Sequence, residues 1–355
     1  MFTYPTICAI IIVGFKEGFM ILITGGAGYI GSHTVLNFIT NGIKDIVIFD
    51  SLETGHIEIV DELKKLADIK FVKGDLRNID DIRNVFEMFS IDAVIHFAAF
   101  SLVGESVAEP AKYYRNNTFG TLNLLDAMVE FGCKQIVFSS TCATYGEPEY
   151  TPIDEKHPQN PINPYGMSKL MVERIMKDYD EAYGIKSIKL RYFNVAGCDT
   201  LARIGEWHDP ESHVIPNILK SALSEDGRVF NIFGDDYDTP DGTCIRDYVN
   251  VEDLAEAHRL AYLYLRDTNV SDVFNLGTEK GDSVKRVFDI CQKVVGQPIP
   301  VDIAPRRIGD PAKLYANADK VRNVIGWEPQ KDLVDSISAA FEWEKKLPLI
   351  MKKGV

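Results

Sequence analysis

The chain has 355 residues, 46% of them apolar and 25% charged, with a formal net charge of −14; it is long enough for one large domain or two modest ones and has the composition of a globular protein rather than a disordered or fibrous one. So acidic a chain is a poor partner for nucleic acid or an anionic membrane, both of which need clustered Lys and Arg, and any anionic ligand must be held by a few local cations and backbone N–H groups. Its six cysteines, Cys8, Cys133, Cys142, Cys198, Cys244 and Cys291, are scattered without a CxxC pair or a Cys/His cluster at metal-ligand spacing, so free thiols in a reducing cytoplasm and no metal site are expected.

In chain order, residues 7–15 form an apolar run followed by Lys16 and Glu17. The run is too short to span a bilayer and lacks the basic region and small-residue cleavage site of a secretory signal. Residues 1–19 therefore read as an upstream extension, with Met20 as the working start of the fold. From there, short apolar runs at 20–24, 46–50, 69–73, 93–97, 135–139 and 187–191 alternate with helical patterns at 29–40, 80–89, 120–131 and 164–183. The runs are rich in Val, Ile and Phe and mostly lack polar alternation, as strands buried on both faces should. Strand–helix alternation of this kind predicts an α/β fold with a doubly wound parallel (Rossmann) sheet over 20–194. After about Asn194 loops lengthen and Pro and Gly become frequent. Residues 195–345 read as a smaller α/β lobe that binds the substrate, with about 246–267 returning to the main domain and 346–355 as a tail.

The first strand runs into the first helix through Gly25, Gly28 and Gly31, with Tyr29 and Ile30 opening the helix. Glycine is required where the backbone must approach a pyrophosphate and the helix must pack tightly on the strand, and the helix N-terminus offers its N–H groups to the phosphates. A glycine pattern alone is weak; placed between a strand and a helix it is specific. Asp50 ends the second strand. A carboxylate there accepts hydrogen bonds from a ribose and repels a 2′-phosphate, which favours NAD over NADP; the plainer role is a turn cap. Asp75, before Leu76, either bonds the adenine amine or caps the helix near Asp80.

Tyr165 and Lys169 lie one helical turn apart on the same face, and Pro164 suits a first turn. A tyrosine has a pKa of about 10, and bringing it to about 7 needs about 4 kcal/mol of phenolate stabilisation. A Lys⁺ at ~6 Å and an effective dielectric near 20 gives roughly 2.8 kcal/mol. The nicotinamide cation of NAD⁺ would add the rest. A bare YxxxK is a common accident; downstream of the glycine turn and of Ser139, Ser140 and Thr141 at a strand end, it becomes specific. Thr141 is placed to hydrogen-bond a reacting sugar oxygen, or else simply caps the strand.

The segments 24–33 (TGGAGYIGSH), 96–99 (HFAA), 165–169 (YGMSK), 191–194 (RYFN) and above all 235–248 (DDYDTPDGTCIRDY) resemble those of the extended short-chain dehydrogenase/reductases, and among them the UDP-glucose 4-epimerases. The resemblance runs from Met20 to about Trp343. It implies tightly bound NAD, a UDP-sugar substrate and a transient 4-keto sugar, with Tyr165, Lys169 and Thr141 as the catalytic group. It further places Phe97, Ala98, Ala99, Asn117, Ser139 and Tyr192, with the glycine turn, Asp50, Asp75 and Leu76, beside the cofactor. Asn194, Asn217, Phe233, Arg246, Arg307, Asp310 and Leu314 should line the UDP-sugar site with Thr141 and Tyr165; an Arg suits the diphosphate because its fork of donors is planar and paired. Members of the family often form homodimers through the two helices at 120–131 and 164–183, and a dimer is expected here.

Three positions depart from the family pattern. Thr141 stands where many members carry Ser, which keeps the hydroxyl. Ser101 stands where some carry a Lys near the phosphates, which predicts weaker NAD retention. Leu314 is of intermediate size where bulk is associated with excluding N-acetylated sugars, so UDP-N-acetylglucosamine stays open as a substrate. A 4,6-dehydratase would need acidic groups where this chain has Cys142 and Ala143. An epimerase acting on UDP-glucuronate or UDP-arabinose is the nearer rival. A non-catalytic NAD sensor would have no need of Tyr165 and Lys169.

Overall fold

A computed structural model describes residues 18–307 and 310–351. Along them run β1 (Met20–Thr24), β2 (Ile46–Asp50), β3 (Lys70–Lys73), β4 (Ile91–His96), β5 (Gln135–Thr141), β6 (Lys186–Tyr192), β7 (Asn194–Ala196), β8 (Phe230–Phe233), β9 (Ile245–Asn250), β10 (Asp272–Leu276), β11 (Gly281–Ser283), β12 (Val301–Ala304) and β13 (Lys313–Leu314). Seven of them form one sheet in the order β3-β2-β1-β4-β5-β6-β10, parallel throughout.

The apolar strand runs are explained by two separate cores. Ile21, Ile23, Ile46 and Ile48 point to one face, where they meet Val35 and Phe38 of the helix Tyr29–Thr40 and Leu254 and Ala261 of the helix Val251–Thr268. Leu22, Val47 and Phe49 point to the other, against Val85 of the helix Ile79–Met88, Leu124 and Met128 of Gly120–Phe131, and Val172 and Met176 of Pro164–Tyr183. Alternation still operates at period two; both directions are dry.

The first strands and helices lie where the apolar periodicity puts them, within two residues at each end. Two stretches that the sequence reading left without structure are ordered: a helix at Ile57–Lys64, and a run between β4 and Gly120 made of Val103–Ala108, Pro110–Tyr113 and a π-helical turn Tyr114–Phe119. The C-terminal region contributes a second sheet in which β9 is flanked by β11, β13 and β7, and a separate β8–β12 pair. These pack with the helices Val214–Leu223, Val284–Val295 and Leu333–Met351 around their own core, which includes Ile218, Phe288 and Ile337. The return to the main body is larger than the segment around 246–267: the helix Val251–Thr268 lies beside Tyr29–Thr40, and β10 then adds the edge strand next to β6.

Cys133, Cys142, Cys198, Cys244 and Cys291 are buried free thiols. Cys8, most of the 1–19 extension and the last residues of the 346–355 tail lie outside the described residues. Among the described residues no helix is long and apolar enough to cross a membrane.

Candidate active site

The carboxyl ends of β1, β2, β4 and β5 open into a cavity of about 820 Å³, closed from the other side by β7, β9 and residues 310–314. Such a crevice is where open parallel sheets bind ligands. Its floor is mostly backbone. Gly25 has φ +72°, and a Cβ on it would sit 2.6 Å from the Ala98 nitrogen; a Cβ on Gly31 would sit 2.2 Å from the Gly25 oxygen. Only hydrogen fits at either place, so the turn is drawn tight and the helix Tyr29–Thr40 presents its first N–H groups to the cavity. Gly28, Tyr29, Ile30, Leu76, Phe97, Ala98 and Ala99 line the same floor. The Tyr29 hydroxyl donates to the Gly197 carbonyl at 2.5 Å, tying the helix start to the chain beyond β7.

Asp50 also lines the cavity. Its carboxylate accepts from the Ala27 and Leu52 N–H groups at 3.0 and 2.9 Å, so it braces the glycine turn as well as facing the floor. Burial pushes its pKa up, and those two N–H groups oppose the rise. Asp75 reaches the wall too, but does not cap the following helix: Asn78 does, accepting from the Asp80 N–H at 3.1 Å. Hydrogen bonding to Arg77 holds the Asp75 carboxyl below the usual range.

The reactive end is organised by one helix. Asn163 caps Pro164–Tyr183 by accepting from the Gly166 N–H at 2.8 Å, with Pro164 in the first turn. Gly166 explains why Tyr165 meets Thr141. A Cβ on it would lie 2.4 Å from the Ala143 oxygen, so the helix start is pressed against the chain leaving β5. Lys169, one turn on, is 3% exposed; its ammonium donates to the Ser139 carbonyl at 2.9 Å and sits 4.8 Å over the Phe138 ring. The Ser139 and Tyr192 hydroxyls hydrogen-bond each other. Burial pushes the Tyr165 phenol up to about 12, against a hydrogen bond from Thr141. Burial likewise pulls Lys169 down to about 7, opposed by Glu173. The chain's own groups therefore leave the proton on Tyr165 at neutral pH. A bound cationic ring is what would reverse that balance.

Beneath this pair lies a buried network that the sequence reading missed. Glu173 continues the Tyr165–Lys169 stripe by one more turn. Its carboxylate accepts from Arg191 Nε at 2.9 Å and Nη2 at 2.5 Å, from Ser140 at 2.5 Å and from Gln159 at 3.2 Å. Arg191 goes on to the Tyr145 hydroxyl at 2.9 Å, which donates to Asn275 of β10 at 2.6 Å. The i+8 spacing from Tyr165 was the available signal.

The opposite wall carries Asn194, Arg246, Asp310 and Leu314. Arg246 Nη1 donates to the carbonyls of Ile245 and Pro311 at 2.8 and 2.7 Å, and Nη2 lies 3.4 Å from Asp310. Leu314 pairs with Arg246 across β13 and β9.

Four predicted residues are not brought to the cavity wall. Asn117 is 2% exposed and clamps the loop after β4, accepting from the Phe100 N–H at 2.9 Å and donating to the Phe100 carbonyl at 2.9 Å and to Ser168 at 3.1 Å. It positions the wall rather than forming it. Asn217 donates to the His213 carbonyl at 2.8 Å and accepts from Arg228 at 2.5 Å, which uses up its side chain inside the lobe. Phe233 and Arg307 stack on each other, guanidinium to ring centroid 3.9 Å. Conversely, His208 and His213, which the sequence reading passed over, do line the cavity.

A family model described as GDP-mannose 4,6 dehydratase matches residues 22–339. The UDP-glucose 4-epimerase of Halalkalibacterium halodurans is 51% identical over 329 residues, which cover 92% of this chain and 96% of that one. The crystal structure of UDP-glucose 4-epimerase from Brucella ovis in complex with NAD superposes with a TM-score of 0.86 at 43% identity, covering 92% of this chain and 98% of that one. The enzyme of the same description from Bifidobacterium longum, in complex with NAD⁺ and UDP, gives 0.86 at 37% identity, covering 93% and 99%.

Proposed function

The chain belongs to the extended short-chain dehydrogenase/reductase family of NAD-dependent nucleotide-sugar epimerases and dehydratases, and from that premise we propose that it interconverts UDP-glucose and UDP-galactose using bound NAD. It is an isomerase in this reading. The observation that carries it is the meeting of Tyr165, Lys169 and Thr141 at one end of a cavity whose other end is a glycine-lined dinucleotide cradle.

The residues fit the cofactor: Gly25 and Gly31 let the turn close backbone against backbone, which brings the first N–H groups of the helix Tyr29–Thr40 to the cavity where a pyrophosphate would lie, and Asp50 stands at the ribose position of such folds. NAD, when bound, supplies a two-electron acceptor and donor for C4 of the sugar. The chain does the rest. Tyr165 takes the proton of the sugar 4-hydroxyl and returns it after the sugar has turned its other face. Lys169, held against the Ser139 carbonyl, lowers the cost of the phenolate. Thr141 orients the 4-oxygen beside Tyr165. Arg246 holds the diphosphate with its remaining donors. Cys142 and Ala143, next to Thr141, cannot act as the acids that elimination of water requires, which disfavours the dehydratase chemistry of the wider family.

The test is proton NMR of the purified protein with UDP-galactose and no added NAD. Growth of UDP-glucose signals supports both the reaction and retained cofactor. Growth only after NAD is added keeps the reaction and points to Ser101, which lines the cavity without a positive charge. No conversion by folded protein with NAD present excludes UDP-galactose as substrate.

The proposal extends to a homodimer in the cytoplasm. Met171 on the helix Pro164–Tyr183 and Phe131 on Gly120–Phe131 are 39% and 38% exposed, apolar surface of the kind that a second subunit covers. A monomer mass in light scattering would remove the dimer.

A further inference from the structure

We infer that residues Glu206, His208, Glu211 and His213 form a binding site for one divalent metal ion of the zinc class. It lies on the cavity wall, outside the residues of the proposed reaction. Their ligand atoms, one from each side chain, all lie within 4.8 Å of one another. His208 Nδ1 is 3.2 Å from a Glu206 carboxylate oxygen and 3.8 Å from one of Glu211. Ligands about 2.0–2.1 Å from a tetrahedral ion stand ~3.4 Å apart, between those two separations. His213 Nδ1 also contacts Glu206.

Two further observations show polar atoms that pairing within the cluster leaves unsatisfied. His208 Nδ1 is buried, aims at two carboxylates, and yet makes no hydrogen bond. The Glu344 carboxyl, on the helix Leu333–Met351, is 6% exposed and near enough to Glu206 and Glu211 to feel their charge, and its Oε1 has no hydrogen-bond partner. The Glu206 and Glu211 side chains are only 5% and 4% exposed, so two carboxylates and two imidazoles converge largely out of water. In the metal-free chain these carboxylates pair with the His208 and His213 imidazoles, whose pKa values they raise, and with Lys220, 3.2 Å from Glu211.

The frame is rigid. The Glu206 carbonyl accepts from Trp343 Nε1 at 2.7 Å, and the Trp207 carbonyl is bonded by His56, whose ring stacks on Trp207 at 3.6 Å. The Glu211 carboxylate is oriented by the N–H groups of Ser212 and His213, both at 2.9 Å. Two imidazoles with carboxylates suit Zn²⁺, Co²⁺ or Ni²⁺; Ca²⁺ and Mg²⁺ prefer oxygen alone. The expected role is a clamp that holds the 206–213 segment against Tyr29, whose ring edge meets His208 at 6.1 Å. The E-x-H-x-x-E-x-H spacing is legible in the sequence and contains no cysteine.

The full chain, stripped with a chelator and dialysed, is titrated with Co²⁺ and then Zn²⁺. The expected result is one ion per chain, visible Co²⁺ absorption bands that Zn²⁺ displaces, and a higher thermal midpoint with Zn²⁺. His208→Ala and His213→Ala should each weaken binding by at least about 100-fold; Glu206→Gln is the milder variant if either fails to fold by circular dichroism. Folded wild-type protein that binds neither ion at one site overturns the inference and leaves the cluster an ion-pair network. So does binding that survives all three substitutions, since the ion would then be adventitious.

Discussion

The floor and the roof of the cavity are made in different ways. The floor is strand ends, tight glycines and a helix start, held by main-chain geometry. The roof is side chains from β7, β9, β13 and the loops between them, held by long-range pairing. The floor tolerates little change because its atoms are already in contact. The roof is where substrate recognition can vary without disturbing the sheet.

Four experiments break or sharpen that contrast. Tyr165→Phe, at the floor, should reduce turnover by about 10²–10⁴-fold with the thermal midpoint unchanged, as removal of a general acid–base group does; a fall of less than tenfold in steady-state assays would mean that the proton moves elsewhere. Glu173→Gln leaves Arg191 buried without its charge partner and should cost about 3–5 kcal/mol in urea unfolding. Both side chains of that pair are 6% exposed, so a loss below 1 kcal/mol would show that the network under the floor is not what holds it.

The third concerns acid. Burial pulls the His96 pKa down to about 3 and the His258 pKa down to about 4. His96 is held between the Thr24 and Thr121 hydroxyls at 2.6 and 2.8 Å. Both imidazoles are neutral in the folded chain and take up a proton only once it unfolds. The unfolded state binds more protons below pH 6.5, so stability falls as the pH drops from there toward 4, by up to about 1.4 kcal/mol per pH unit for each. Stability measured against pH that is flat between 6.5 and 4 would contradict this. The smallest effect belongs to the roof: Arg246→Lys keeps the charge but loses the fork, and should raise KM about tenfold while leaving kcat nearly intact. An equal loss in kcat would show that Arg246 acts on the reacting end.

The same contrast explains what could be read from sequence. The glycine turn, Asp50 and the Tyr165/Lys169 pair are local patterns, each fixed within one turn or one strand, and the structure gathers them at the cavity. Asn117 sits in a π-helical turn that no periodicity announces, and its hydrogen bonds go to Phe100 and Ser168. Phe233 depends on β8 pairing with β12 some seventy residues later, and Asn217 on a partner in a following loop. Glu173 lay in plain view on the helix, but its value depends on Arg191, which only the β5–β6 register brings opposite. Distance along the chain, rather than residue type, separates the two groups.

The sheet's last strand has a consequence for how the protein is made. β6 ends at Tyr192, yet its neighbour β10 begins at Asp272. Emerging from a ribosome, the sheet has an open edge while eighty more residues are translated, and an open parallel edge is a template for pairing with another chain. The domain boundary drawn near residue 194 is therefore no place to cut the gene. A fragment ending there should aggregate, and the two lobes should melt as one unit.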